Sequence, residues 1–157
     1  MSEEKQTDKD NVSPKAQALS ARLLAVQALY QMKQNKQPVK VVYNEYIQHR
    51  SEPEVDGQKL VTPDGSLFKK ILYGVEERFV ELDAVIQANL KKDASDRVVE
   101  PLLYSVLVCG AYELLAHSEI DAPILINDYL NVGHAFFEKN EVALVNGVLD
   151  SVCSAFR

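Results

Sequence analysis

Two cysteines, three histidines and six glycines are all that this 157-residue chain offers to the chemistries that depend on them. Cys109 and Cys153 lie far apart in helix-like apolar stretches. That setting suits reduced core or near-core thiols of a cytoplasmic protein, and two such residues make no metal site on their own. His49, His117 and His134 are scattered, and none stands at metal-binding spacing from a cysteine or a carboxylate. There is no glycine-rich loop to cradle a phosphate and no dinucleotide fingerprint. No catalytic, metal or cofactor chemistry is therefore expected. The start, MSEEKQTDKDNVSPK, has no apolar core segment, so no signal peptide is expected. No run is long and apolar enough to span a membrane. Strand pairs are not expected either, because the apolar residues recur at helical spacing.

What is present is ordinary for a soluble domain: 46% hydrophobic and 25% charged residues. The length suffices to bury a core in one domain. Net charge is −6, which argues against broad nucleic-acid binding, but the charge is unevenly spread. Residues 11–50 hold six Lys or Arg against the single acid Glu45, a local +5, whereas residues 51–157 sum to −9. That asymmetry permits one locally basic surface on an acidic body, or simply solvated lysines.

The chain is organised around residues 98–116, VVEPLLYSVLVCGAYELLA. From Leu102 to Ala116 only Ser105 and Glu113 are clearly polar, so this is read as a central helix covered on nearly every side. Pro101 suits its first turn. Ahead of it, residues 1–14 read as a disordered tail. A first helix is expected over about 17–34 and a second over 39–49, after Pro38. An exposed loop follows over 50–65 and divides the N-terminal pair from the rest. The clearest periodic signal, Leu67, Ile71, Val75, Phe79, Leu82, Ile86 and Leu90, predicts one long helix over 67–90 capped by Ser66. Lys91 and Lys92 suit its end, and Asp93, Ser95 and Asp96 mark a turn. A helix over 123–137, with Asp121 as a possible cap, and a last helix over 141–154 capped by Asn140 complete the pattern. The sum is an all-α fold of six main helices, or seven with a short turn before Pro101.

Three features bear on function without settling it. Glu113 sits inside so apolar a helix that it must be paired across helices, hydrogen-bonded, or held at a surface for a partner. His134 is either a surface imidazole or a ligand contact. Asn146-Gly147 often marks a turn, but the helical pattern continues across it, and the glycine allows close approach of another helix or of a ligand.

Four segments carry a resemblance: ARLLAVQALYQM (21–32), GAYELL (110–115), ILINDYLNVGHAFF (124–137) and LVNGVLDSV (144–152). Together they resemble the bacterial NusB family of transcription antitermination factors, over about residues 16–156. The resemblance implies a compact all-helical fold in two small subdomains, covering residues 15–157 after the tail. It implies a cytoplasmic RNA-binding protein that is not an enzyme and needs no cofactor. The implied partners are single-stranded boxA RNA of ribosomal RNA operons, the small-subunit ribosomal protein NusE, and the RNA polymerase antitermination complex, with no membrane. Some relatives form homodimers. The same fold also precedes RNA cytosine methyltransferase domains; this chain ends at Arg157, so no such domain is expected.

Carried over residue by residue, the resemblance assigns RNA contact to Lys15, Arg22, Tyr30, Asn140, Leu144 and Asn146. Of the family's arginine-rich helix start only Arg22 remains, with Ala18, Leu19 and Ser20 at other positions. Leu144 replaces a phenylalanine, and a lost base stack is worth about 1–3 kcal/mol. Val108 replaces an arginine of the central helix. Glu81, Glu100 and Glu113 are the candidate NusE contacts. The alternative implied by these departures is a helical interaction module that binds NusE with weak or lost RNA specificity.

Overall fold

The computed structural model describes residues 13–49, 54–55, 58–59, 61–91 and 99–157. Seven α-helices and one two-residue β-ladder form among them: α1 (Pro14–Asn35), α2 (Val39–His49), β1 (Glu54–Val55), β2 (Gln58–Lys59), α3 (Gly65–Glu77), α4 (Phe79–Lys91), α5 (Pro101–Ala116), α6 (Ala122–Phe136) and α7 (Lys139–Phe156). The fold is all-α, as the helical spacing and the resemblance imply. The antiparallel ladder, with Glu54 opposite Lys59, corrects the expectation of no strand pair, although it is too short to organise a core. The tail over 1–12, Arg50, the rest of the 50–60 loop, Lys92 and the turn at Asp93, Ser95 and Asp96 lie outside the described residues.

Helix α1 starts earlier than its apolar pattern. Ser13 stands at the N-cap and its Oγ accepts from the Ala16 amide at 3.1 Å, while Pro14 occupies the first turn, where its missing N–H is no loss. The helix ends at Lys36, which takes left-handed backbone angles (φ 53°, ψ 44°) and returns its N–H to Met32 O. Ala21, Ala25 and Ala28 are fully buried, so neighbouring helices close in on α1 from several sides. It packs on α2, α3, α5 and α6.

The long periodic stretch is two helices, not one. Asp64, rather than Ser66, caps α3 by accepting from the Leu67 amide at 3.1 Å. The chain breaks helical geometry at Arg78 (φ −108°, ψ 18°), whose side chain reaches Glu81 through two bonds of 3.1 and 2.9 Å. The break lets the two halves serve different partners: α3 packs on α1, α2 and α5, and α4 packs on α5 and α7. Ser20 Oγ donates to Val61 O at 2.6 Å and the Asp64 amide to Gln17 O at 3.0 Å, which fastens the end of that loop to α1.

Helix α5 begins after Glu100 with Pro101 at its first position and is covered by α1, α3, α4, α6 and α7. Its C-terminal end is closed from a distance. The Arg157 guanidinium donates to Leu114 O, Ile120 O and His117 O at 2.9, 2.7 and 2.8 Å. It satisfies carbonyls that a helix end and its following turn leave open. Asp121 and Glu138 stand at the N-caps of α6 and α7 without a side-chain cap bond, so Asn140 lies inside the first turn of α7 rather than capping it.

Candidate functional site

Helix α1 carries side chains of two fates. On its inner side Arg22 is only 3% exposed. Its Nε and Nη2 donate to the two oxygens of Glu113 at 2.7 and 2.9 Å, and its Nη1 donates to Asp128 Oδ2 at 2.8 Å. The Tyr129 hydroxyl donates to Glu113 Oε1 at 2.5 Å. His117 Nδ1 lies 2.9 Å from Glu113 Oε2 and must be the donor, since the carboxylate has no proton to give. Every hydrogen-bonding site of a fully buried carboxylate is thus occupied from α1, α6 and the end of α5. Burial alone would push the Glu113 carboxyl up; the bonds from His117 and Arg22 outweigh it and hold it at about 2, against an ordinary 4.5. For Arg22, burial works against the charge and the Glu113 bond more than reverses it, so the guanidinium is held charged.

This cluster corrects two assignments. Arg22 is spent inside the protein and is not available at an RNA surface. Glu113 is equally withdrawn and is not a surface contact for a protein partner; it is the inter-helix pair that its apolar setting allowed. Val108, where the resemblance implies an arginine, is buried, and Arg22 supplies the cation of the interior ion pairs. Asp128, Tyr129 and His117 were not singled out by their positions in the sequence. An acid and a tyrosine adjacent on the apolar side of α6 were the available signal.

On the outer side, Tyr30 is 37% exposed beside a groove of about 450 Å³ lined by Gln27, Gln34, Asn35, Tyr46, Leu102 and Phe136. A second groove of about 290 Å³ continues from Tyr30 past Lys33, Gln87, Pro101 and Tyr104. The Tyr104 hydroxyl is hydrogen-bonded to Asp83 on the floor between α4 and α5. Amide side chains with open donors and acceptors, a half-exposed phenol and a partly buried Phe136 form a surface on which planar, polar groups can stack and be read at their edges.

None of the other predicted residues lines either groove. Lys15 is exposed on the first turn of α1, about 22 Å along the helix axis from Tyr30. Asn140 and Leu144 share one face of α7, one turn apart, with Leu144 half-buried against the core. Asn146 is exposed, but two residues beyond Leu144 it points to nearly the opposite side of the helix. Gly147 does not mark the close helix crossing that was one of its readings, because a Cβ there would meet nothing within 4 Å. Glu100 is exposed at the start of α5, between the Val99 and Pro101 that line the second groove. Glu81 is exposed and paired with Arg78, and His134 is exposed. Among the described residues no group of three His, Cys, Asp or Glu could hold a metal, and no helix is long and apolar enough to cross a membrane.

An all-helical protein with a buried ionic strut and an amide- and aromatic-lined groove has the features of a binding protein. Comparison with known proteins supplies the family. A model of the NusB family matches residues 19–154. The chain is 36% identical over 146 residues to the transcription antitermination protein NusB of Novosphingobium aromaticivorans, covering 93% of this chain and 98% of that one. It is 35% identical over 150 residues to that of Nitrobacter hamburgensis, covering 95% and 94%. The chain belongs to the NusB family of transcription antitermination factors, a non-enzymatic family. The fold agrees at low identity. A crystal structure of antitermination factors NusB and NusE in complex with dsRNA superposes with a TM-score of 0.72 at 18% identity, over 88% of this chain and 96% of that one. A crystal structure of T. maritima NusB superposes at 0.70 and 20% identity, over 90% and 92%.

Proposed function

We propose that this antitermination factor binds the boxA element of nascent ribosomal RNA transcripts together with the small-subunit ribosomal protein NusE, and so helps RNA polymerase assemble its antitermination complex. The observation that carries the proposal is the match of nearly the whole chain to NusB proteins, joined to a solved relative of the same fold that holds both NusE and RNA. The Tyr30 groove is where the chain offers the matching chemistry. Tyr30 presents a ring for a base, and Gln27, Gln34 and Asn35 present amides to base edges. Lys15, Asn140, Leu144 and Asn146 remain candidate contacts on flanking surfaces. Glu81 and Glu100 remain candidate NusE contacts on the α4–α5 side.

One observation favours a second reading, a NusE-binding module with weak RNA specificity. With Arg22 consumed by Glu113 and Asp128, the start of α1 keeps only Lys15 of the cations assigned to phosphate. Fewer phosphate contacts mean lower affinity and a shallower salt dependence.

Labelled boxA RNA, titrated with and without NusE across a salt series, separates the two, with a scrambled RNA as control. A duplex form of the same sequence belongs in the series, because the solved relative holds dsRNA. Sequence-specific binding strengthened by NusE, and weakened about tenfold or more by Tyr30→Ala, is the expected result. NusE binding without discrimination between boxA and scrambled RNA would establish the interaction module instead.

A further inference from the structure

The basic residues of the N-terminal subdomain do not surround the Tyr30 groove; they continue past it. Asn35 lines the groove, and the next residue, Lys36, is exposed at the turn into α2. Lys40 is exposed in the first turn of α2, one turn before Tyr43 on the same face. Across from Tyr43, Lys69 of α3 places its Nζ 5.6 Å from the Tyr43 ring centre and 5.9 Å from that of Tyr73. Lys70 is exposed beside it. The two tyrosine rings meet edge to face at 5.5 Å, and Tyr43 stacks on Phe68 at 5.8 Å.

Three properties of this face stand apart from ordinary surface lysines. First, Lys40, Lys69 and Lys70 form no ion pair among the described residues, whereas Lys33 on α1 is paired with Glu76. Second, Lys69 is held over two rings that are themselves fixed by packing, so part of its side-chain entropy is already spent. Third, an aromatic path joins it to the groove: Tyr46, which lines the groove, lies 5.9 Å from Phe68, the ring on which Tyr43 stacks. A group of cations without ion pairs among the described residues, one of them held on packed rings, suits a polyanion even on a protein of net charge −6.

We propose that the α2–α3 face is a second RNA-contact surface, where Lys40, Lys69 and Lys70 around Tyr43 and Tyr73 take the phosphodiester backbone of RNA flanking the segment held at the Tyr30 groove. This rests on the RNA reading of the groove. The rings position Lys69 rather than stack on bases, since one face of Tyr43 meets Phe68 and Lys69 lies over the pair. The surface is therefore indifferent to sequence and strongly sensitive to salt.

Two labelled single-stranded RNAs test it, each with the full chain and NusE present. One holds only the boxA element; the other extends it at both ends with uridine tracts. The extended RNA should bind more tightly and with a steeper salt slope. The triple variant K40Q/K69Q/K70Q, which keeps the side-chain stems and the fold, should lower that slope by about 2 at about 0.7 per single-strand phosphate, and leave the short RNA unaffected. A wild-type slope in the triple variant overturns the proposal. Displacement of the extended RNA as readily by polyglutamate as by polyuridine of equal charge also overturns it, and assigns the face to an acidic protein. If the short RNA fails to bind while the extended RNA binds through the lysines, the boxA reading of the groove falls and with it this surface as a flanking contact, leaving only a separate RNA-binding face. If the short RNA binds and extension adds nothing, this surface falls alone.

Discussion

The most consequential single residue is Glu113. Taking a carboxylate and a guanidinium out of water is unfavourable unless every lone pair and N–H finds a partner, and here Arg22, Tyr129 and His117 all converge on one carboxylate. Removing one member leaves the other charge buried and uncompensated. Glu113→Ala should lower unfolding free energy by about 3–5 kcal/mol, read by urea denaturation. A fall under about 1 kcal/mol would mean that water or rearrangement satisfies Arg22. The pH dependence follows from sign. The folded carboxyl sits at about 2 and an unperturbed one at 4.5, so its stabilisation is fully present above about 4.5 and is lost as pH falls through the folded value. Melting temperature of the parent should therefore drop more steeply between these values than that of Glu113→Gln. The sequence displayed an acid out of place in an apolar helix, which made inter-helix pairing legible. It did not display the partners, 91 and 106 residues from one end of the network to the other two. Arg22 was assigned to RNA because the resemblance places it among the arginines of the first helix, and a matching position carries no information on which side of a helix faces inward.

At the scale of elements, the junction of α3 and α4 shows where periodicity stops being informative. Apolar residues recur every three or four positions straight through Arg78, because a one-residue kink hardly disturbs their order. The change of partners that makes the kink necessary is a tertiary fact. Other boundaries were more legible: Pro38 and Pro101 each fix a starting turn chemically, whereas Pro14, which does the same for α1, was read as part of the tail. Gly74, just ahead of the kink, stands where α3 and α5 come close together. A Cβ there would lie 2.1 Å from the Tyr112 hydroxyl oxygen and 2.2 Å from the ring carbon that bears it. Alanine would improve helix propensity by about 1 kcal/mol, but the buried ring of Tyr112 must move to admit it. Gly74→Ala should be net destabilising by about 1–3 kcal/mol. In a Tyr112→Leu background the same substitution should be neutral or favourable. Additive effects in that double-mutant cycle would show that the contact is not what requires glycine.

For the whole molecule, the groove is built from both ends of the chain: Gln27, Tyr30 and Tyr46 come from α1 and α2, Leu102 and Phe136 from α5 and α6. Its shape is therefore a property of how the α1–α3 half and the α4–α7 half are joined. Three links join them. Helix α1 is unbroken from Pro14 to Asn35 and packs on α2 and α3 as well as on α5 and α6. The Arg22 cluster ties it to α5 and α6 at the middle of the interface. Tyr112 of α5 lies against Gly74 of α3 beyond it. Neither half buries α1 without the other, so an intermediate with one subdomain folded would expose a long apolar helix face. The whole should unfold as one cooperative unit, with far-UV circular dichroism and near-UV tyrosine signals tracing a single urea transition with one midpoint. Tyrosines lie in both halves, Tyr43, Tyr46 and Tyr73 in one and Tyr104, Tyr112 and Tyr129 in the other, so the near-UV signal samples both. Separate midpoints would show that the halves move independently, and the groove would then be a transient gap between mobile bodies. A shared midpoint makes it a preformed surface, on which RNA binding need not first order the protein.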